Sequence, residues 1–345
     1  MRKSPAVIRQ SIFLQAFDGM NSTIPVWFMR QAGRYLPQYQ ALKGKYRLQE
    51  MFTNPTLAAK VTCLPIDILK VDAAILFADI LTLPSGMGFN IIFDNHAGPA
   101  VTNPIGLSSL NDIHPMEGLG HVASTIKLVN EILPLNIPLI GFAGSPFTVL
   151  TYLIEGKSSL NFSKTVKLAI SDAKLFKHWM DLLTENTISY LNMQKEAGIK
   201  AYQLFDTWAG ILSPKDYASW VLPSIQKIFK NVDLPSIYFL KNGAHLLPFM
   251  GEAGMDFLSV DHTVILGENP WLKKINKGIQ GNLYNGLLYA DKKTLAKEVD
   301  DLLRQARKYP RYIFNLSHGV LPDTDVEKLK FIVEQVHQCR KPSSL

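Results

Sequence analysis

Short apolar runs recur along this chain, and each ends in polar residues or glycine. Eight are read: Pro25 to Met29, Ala73 to Ala78, Pro138 to Ala143, Ala201 to Phe205, Ser236 to Leu240, Asp256 to Val260, Lys277 to Gln280 and Tyr312 to Leu316. They have the length of buried strands. Helical periodicity fills the spaces between most of them. Asn54-Pro55 supplies an N-cap and first position, with Leu57, Val61, Leu64 and Ile68 on one face. Ser213-Pro214-Lys215-Asp216 opens another helix, carrying Tyr217, Val221, Ile225 and Ile228. A third holds Leu295, Val299, Leu302 and Ala306. A fourth begins near Thr324-Asp325-Val326-Glu327, read as a capping box, and holds Leu329, Ile332 and Val336. Residues 8 to 17 read as a first helix. Strands alternating with helices mean a parallel sheet.

Eight such units in 345 residues predict an α/β chain folded as one (β/α)8 barrel of the TIM type, a single domain over 1–345. A doubly wound open sheet is the alternative; it usually shows a GxGxxG turn after its first strand, and none is present. Extra length falls in a polar excursion from Gly86 to Asn103 and in a long helical stretch from Asn161 to Gly198.

Composition narrows the class. At 47% hydrophobic and 19% charged the chain buries a large core. No apolar run approaches a membrane span, and the N-terminal stretch, broken by Arg9, Gln10 and Gln15, does not read as a signal peptide. The two cysteines, Cys63 and Cys339, give no disulfide framework, and a reducing cytoplasm is the simpler expectation. The net charge of +7 favours capture of an anionic ligand. Its lysines and arginines are too scattered for a nucleic-acid surface, and neither a basic amphipathic helix nor a lipidation signal points to a membrane.

In a barrel the chemistry sits where strands end. The first run leads into Arg30-Gln31-Ala32-Gly33-Arg34, the second to Asp79, and the third to Gly144-Ser145-Pro146 and a helix carrying Tyr152. The fourth ends at Asp206-Thr207-Trp208, the fifth at Lys241-Asn242-Gly243, the sixth at Asp261-His262, the seventh at Gly281-Asn282 and the last at Ser317-His318-Gly319. Two guanidinium groups four residues apart suit carboxylates, and Gly33 between them lets backbone N–H groups approach an anion. Asp79 suits a helix N-cap. Its apolar lead-in Ile75-Leu76-Phe77-Ala78 also suits a carboxylate at the mouth of the barrel, where it needs a cation or an N–H partner. Tyr152 and His318 are equally compatible with structural roles. No CxxC, HExxH or phosphate-binding loop occurs, so metal and nucleoside triphosphate chemistry are not expected. Lys241 keeps a Schiff-base amine within the options.

Several of these segments carry a resemblance. Pro25-Val26-Trp27-Phe28-Met29-Arg30-Gln31-Ala32-Gly33-Arg34-Tyr35-Leu36-Pro37 resembles the N-terminal signature of the uroporphyrinogen decarboxylase family. Gly141 to Thr148, running on to Tyr152 and Glu155-Gly156, resembles the second signature. Phe77-Ala78-Asp79-Ile80-Leu81, Leu204 to Gly210, Ile279-Gln280-Gly281-Asn282 and Asn315-Leu316-Ser317-His318-Gly319 follow in order, so the likeness runs from about residue 5 to 337. It implies a (β/α)8 barrel, a homodimer with facing clefts, a tetrapyrrole substrate, and conversion of uroporphyrinogen III to coproporphyrinogen III with loss of four CO2. It implies no metal or organic cofactor. By the same likeness Arg30 to Arg34 contact substrate carboxylates, Asp79 meets the pyrrole N–H groups and is catalytic with Arg30, and Phe205, Thr207, Tyr152 and His318 are further substrate contacts. A corrinoid- or zinc-type methyltransferase on a related barrel is the alternative. The sequence departs from the family pattern at Gln38, at Tyr284-Asn285 and at Ser317, which stands in the place of a glycine and is expected to shift the loop that aims His318.

Overall fold

The computed structural model describes residues 11–94, 98–104, 117–159, 161–267 and 269–339, except for the side chains of Asp94 and Glu117. Seven strands form one sheet: β1 (Ala74–Ile75), β4 (Leu139–Gly144), β5 (Ala201–Asp206), β6 (Ser236–Leu240), β7 (Phe257–Val260), β8 (Gly278–Gln280) and β9 (Tyr312–Ile313). They pair in that order, all parallel. Each matches one of the predicted runs, though β1 and β9 are shorter than expected.

The first predicted run differs. Pro25 to Met29 forms no ladder but lies between the sheet's two edges. Val26 bridges Phe314 in parallel fashion, with Phe314 N–H donating to Pro25 O at 2.8 Å. On its other side Asp72 N–H donates to Val26 O at 2.8 Å, and Val26 N–H donates to the Asp72 carboxylate at 2.7 Å. Pro25 has no N–H, and a side chain replaces a ladder carbonyl, so the segment stops short of a regular strand. The sheet is thus mostly parallel, curled and flanked by helices.

Its curl separates two apolar cores. A small inner cluster gathers Trp27, Met29, Ala73, Ile140, Ala201, Ile237, Phe239, Phe257 and Ile313 with Phe13, Leu14 and Ala16. These strand positions are the inward half of a period-two alternation. The larger cluster lies between the outer face and the helices. The helix Ile12–Asp18, capped by Ser11, closes the lower end, where Phe17 packs on Phe257 with ring centroids 4.7 Å apart. Residues 8 to 10 of that expected helix lie outside the described residues.

The helix signals mostly locate real ends. Asn54 accepts from the Thr56 and Leu57 N–H groups to cap Pro55–Leu69, and Ser213 and Asp216 form the reciprocal box opening Pro214–Trp220. Two details differ. Asp325 rather than Thr324 caps Val326–Gln338, and the Thr324 hydroxyl is buried without a partner. The buried residues of Pro55–Leu69 are Ala58, Ala59, Val61, Thr62, Cys63, Pro65, Ile66 and Leu69, so Leu57, Leu64 and Ile68 are only partly covered. The helix packs on its neighbour Gly120–Ile132 as well as on the sheet, and alanines allow that close approach. The polar excursion holds an antiparallel hairpin of β2 (Ile91–Asp94) and β3 (Gly98–Val101). It docks through Val101 N–H, which donates to Gly156 O at 2.7 Å at the end of helix Pro146–Glu155. The expected helical stretch resolves into Ser163–Ser171 and Ala173–Ala197, ended by Gly198.

Candidate active site

The loop after the first segment is held from three sides. Met29 N–H donates to the Asn315 side chain at 3.0 Å, Gln31 N–H to Phe28 O at 3.0 Å, and Val320 N–H to Met29 O at 2.9 Å. These bonds keep Arg30 at φ 59°, a left-handed conformation that costs a non-glycine residue about 1 kcal/mol. The special backbone position is therefore Arg30 itself and not Gly33, as the sequence suggests. Among the described residues, the backbone N–H groups of Arg30, Ala32 and Gly33 meet no acceptor. They lie beside the exposed Arg30 side chain and are open to a ligand acceptor. Gly319 makes room for that side chain: a Cβ there would lie 2.3 Å from Arg30 Cδ and 2.7 Å from Cγ.

Gln31 faces the other way. Its side chain is fully buried, accepting from Phe28 N–H at 3.1 Å and donating to Ala73 O at 3.0 Å. It braces the loop against the start of β1, and the residue as a whole is withdrawn from the surface. Arg34 is exposed on the rim, and its charge is felt by Tyr39.

Asp79 ends the segment that follows β1. Its Oδ1 accepts from Leu81 N–H at 2.9 Å, and its own N–H donates to the Thr82 hydroxyl at 3.1 Å. Both readings of this residue thus hold in part. One oxygen closes an Asx-type turn into helix Thr82–Gly86, and the other is left to the cleft. Asp79 retains some accessible surface although protein surrounds it closely, the situation of a group at the bottom of a cleft. Burial raises its pKa above the usual carboxylate range, while the Leu81 N–H and the charge of Arg30 act in the opposite sense.

Tyr152 reaches the same place from helix Pro146–Glu155. Its pKa is raised by burial and, less strongly, by the nearby charge of Asp79, while Trp208 and Arg30 lower it. The Trp208 indole N–H points towards the phenol without meeting hydrogen-bond geometry, and the rings lie 6.2 Å apart. His318 is pushed down to about 3, first by burial and then by the positive charges of Arg30 and Lys241. In the ligand-free cleft this favours the neutral imidazole. Arg30, Asp79, Tyr152 and His318 make one electrostatic group. Phe205 lies beneath it, with ring centroids 5.5 Å from Phe142 and 5.8 Å from Phe239; Phe239 in turn lies 6.1 Å from His318. These rings give the cleft an apolar floor.

Thr207 occupies an adjoining cavity of about 380 Å³ with Trp208 and Lys241. Its turn is fixed by the buried Asp206, whose carboxylate accepts from Ser145 at 2.9 Å, Thr148 at 2.6 Å and Tyr238 at 2.7 Å. Thr148 Oγ1 accepts in turn from Trp208 N–H at 3.1 Å. The sequence places Asp206 and Lys241 at strand ends but assigns neither a substrate contact. The first is visible only once Ser145, Thr148 and Tyr238 converge on it.

Ser317 needs no left-handed backbone where it stands in the His318 loop. Its hydroxyl and the Asn285 amide lie 3.4 Å apart, while Asn285 Nδ2 donates to Gly319 O at 3.2 Å. Two departures from the family pattern thus meet each other and support the loop.

Among the described residues, no three or more His, Cys, Asp or Glu side chains gather into a possible metal site. None of the described helices is long and apolar enough to cross a membrane.

Residues 9–339 match the family described as uroporphyrinogen decarboxylase (URO-D). The uroporphyrinogen decarboxylase of Thermodesulfovibrio yellowstonii is 44% identical over 333 residues, covering 94% of this chain and 97% of that protein. The Thermus thermophilus protein of the same name is 40% identical over 323 residues, covering 91% and 93%. Among solved structures, a methyltransferase from Methanosarcina mazei superposes with a TM-score of 0.80 at 21% identity, covering 95% of this chain and 98% of that one. A B12-independent methionine synthase from Shewanella sp. W3-18-1 superposes with a TM-score of 0.56 at 13% identity, covering 85% and 89%. Those two likenesses concern the fold. The sequence matches settle the family: the chain belongs to the uroporphyrinogen decarboxylase family.

Proposed function

We propose that this protein is a carboxy-lyase that removes the four acetate carboxyls of uroporphyrinogen III as CO2, giving coproporphyrinogen III in haem and tetrapyrrole synthesis. Family membership supports the reaction class. The observation that carries the site assignment is Asp79, a carboxylate at the cleft bottom with raised pKa, one oxygen engaged and the other open.

Loss of CO2 needs an electron sink. Protonation of the ring carbon next to the one that bears the acetate arm makes the ring an iminium-like cation conjugated with the arm-bearing carbon. The bond to CO2 then breaks and its electron pair flows into the ring. A proton added to the resulting methylene gives a methyl group as the ring carbon releases its own. One proton is taken up and one CO2 leaves per arm. The Asp79 carboxylate accepts the ring N–H, and that contact strengthens as positive charge develops, so it favours the transition state over the bound substrate. Arg30, Arg34 and the N–H groups of Ala32 and Gly33 hold peripheral carboxylates. Tyr152, Thr207 and neutral His318 donate or accept hydrogen bonds along the arms, and Phe205 keeps water from the ring face. Neither a metal nor an organic cofactor enters this scheme. The methyltransferase alternative finds support only in fold likeness.

Three further readings belong with this proposal. The Pro25–Met29 segment acts as the eighth stave that closes a (β/α)8 barrel within one domain over 1–345, supported by its bonds to both sheet edges and by the inner cluster drawn from segments throughout the chain. Two copies pair with their clefts facing, supported by Ile211, Ile265, Tyr284 and Tyr289, exposed apolar side chains that all follow strand C-terminal ends. The enzyme works in the cytoplasm, in keeping with two free cysteines.

Anaerobic incubation of the purified protein with uroporphyrinogen III, followed by oxidation and separation of products by carboxyl number, tests the function. Successive products ending at four carboxyls are expected. Unchanged substrate contradicts the proposal.

A further inference from the structure

Sheet order places two positive groups across the cleft from each other. Arg30 follows the segment that joins the sheet's edges, and Lys241 follows β6, the middle strand of the seven. Lys241 Nζ lies 5.4 Å from the centroid of the Trp208 ring. Among the described residues it has no carboxylate partner. Its charge nevertheless reaches His318, as that of Arg30 does, so both cations face one cleft.

The ammonium is well placed rather than loosely tethered. Lys241 N–H donates to Asp206 O at 3.4 Å, and the next N–H, of Asn242, donates to the Asp261 carboxylate. Gly210 lies against this turn so closely that a Cβ there would sit 2.2 Å from Lys241 O. The cavity beside the ammonium offers the hydroxyls of Thr207 and Ser158, and the rings of Phe162 and Trp208 form its apolar wall. A short aliphatic arm ending in a carboxylate matches this lining: methylenes against the rings, carboxylate against the ammonium and a hydroxyl.

We infer that Lys241, seated on Trp208 and assisted by Thr207, is a specificity-determining residue that binds a peripheral carboxylate arm of the macrocycle on the side opposite Arg30 and Arg34. The inference rests on the tetrapyrrole reading above. It explains how a cleft holds a disc with charges all round its edge: cations stand on opposing walls, and Asp79 serves the centre. The ring stacking holds the ammonium at low conformational freedom, which favours a directed contact over a diffuse one.

Two variants separate charge from packing. Lys241→Met keeps the stem over Trp208 and removes the charge, whereas Lys241→Arg keeps the charge. With uroporphyrinogen III, Lys241→Met raises KM about tenfold, the effect of losing one partly desolvated charge pair, with kcat within about twofold. Lys241→Arg recovers most of the loss. Inhibition by coproporphyrinogen III, whose arms are all propionates, identifies the arm. A parallel rise in its inhibition constant assigns a propionate, and an unchanged constant beside the raised KM assigns an acetate. Uroporphyrin, the air-stable octacarboxylate, gives a Kd by fluorescence quenching without turnover. If the wild type released no CO2 the functional reading would fail, while a tenfold weaker uroporphyrin Kd in Lys241→Met would still carry the subsite. Unchanged KM and Kd in a folded Lys241→Met variant overturn it.

Discussion

The two ends of the curled sheet use the same strands and the same inward alternation, yet they treat polar groups in opposite ways. In the interior Gln280 accepts from Trp27 Nε1 at 2.9 Å and donates to Gln203 and to Ser259, each at 2.9 Å. Below this layer the Phe17 ring closes on Phe257. These buried amides largely satisfy one another, as an interior requires. At the upper end the polar groups retain open valences. Among the described residues one Asp79 oxygen has no hydrogen-bond partner, the Arg30, Ala32 and Gly33 N–H groups meet no acceptor, and Lys241 has no carboxylate partner. Around Gln280 the paired polar groups hold the fold, while at the upper end the open groups border the cleft, where a ligand can meet them.

That contrast can be broken at either end. The largest expected effect is at the upper end. Arg30→Ala lowers kcat/KM for uroporphyrinogen by about 100- to 1,000-fold, the range for a charged contact to a bound anion in a dry site, with little change in thermal stability. Gly319→Ala, which pushes a Cβ into the Arg30 side chain, follows with a loss of about tenfold or more. In the interior the effect reverses. Gln280→Leu strands the Trp27 and Gln203 partners and lowers unfolding free energy by about 3 kcal/mol in urea titration, while turnover per folded molecule is retained. Comparable activity loss from Gln280→Leu and Arg30→Ala would erase the distinction.

A smaller effect reads the strain stored at Asp79. Because burial raises its pKa, the ionised carboxylate opposes folding at neutral pH, so Asp79→Asn raises Tm by a few degrees. The smallest effect tests the joint between the first segment and the last helix. The Asp72 carboxylate accepts from Val26 N–H and pairs with His337 Nε2 at 2.8 Å, and this hydrogen bond raises the His337 pKa above its ordinary 6.5. A histidine raised on folding stabilises fully below its unfolded pKa and loses that contribution as pH rises through the folded value. Wild-type Tm therefore falls from pH 6 to pH 8 by slightly more than that of His337→Gln. Parallel curves would contradict the pairing.

Much of the fold was legible because buried strands and caps leave local marks. Seven of the eight apolar runs are strands within a residue or a few, and Asn54 and Ser213 cap where their spacing says. The Pro25–Met29 run was misjudged as a regular strand because its apolar pattern does not reveal that the Asp72 side chain replaces a ladder partner. The rotated face of Pro55–Leu69 is not legible because periodicity marks large apolar residues, whereas the buried face includes Ala58 and Ala59. At the site, Arg30, Asp79, Tyr152 and His318 were named in advance and do share one electrostatic group. The resemblance makes Gln31 a ligand contact, but nothing local in the sequence shows that its side chain turns inward to Ala73. Lys241 stands in no motif, and only the order of strands reveals that it faces Arg30.

Asp79 carries the central claim, that an incompletely paired carboxylate at the cleft centre stabilises the ring cation. The direct test is single-turnover release of labelled CO2 from uroporphyrinogen III carrying label in its acetate carboxyls, with substrate bound beforehand to wild type or to Asp79→Asn. The account predicts that both proteins bind the substrate and that CO2 release from Asp79→Asn is slower by about 1,000-fold or more, the scale of losing a major electrostatic contact in the transition state. Release from Asp79→Asn at near the wild-type rate would contradict it.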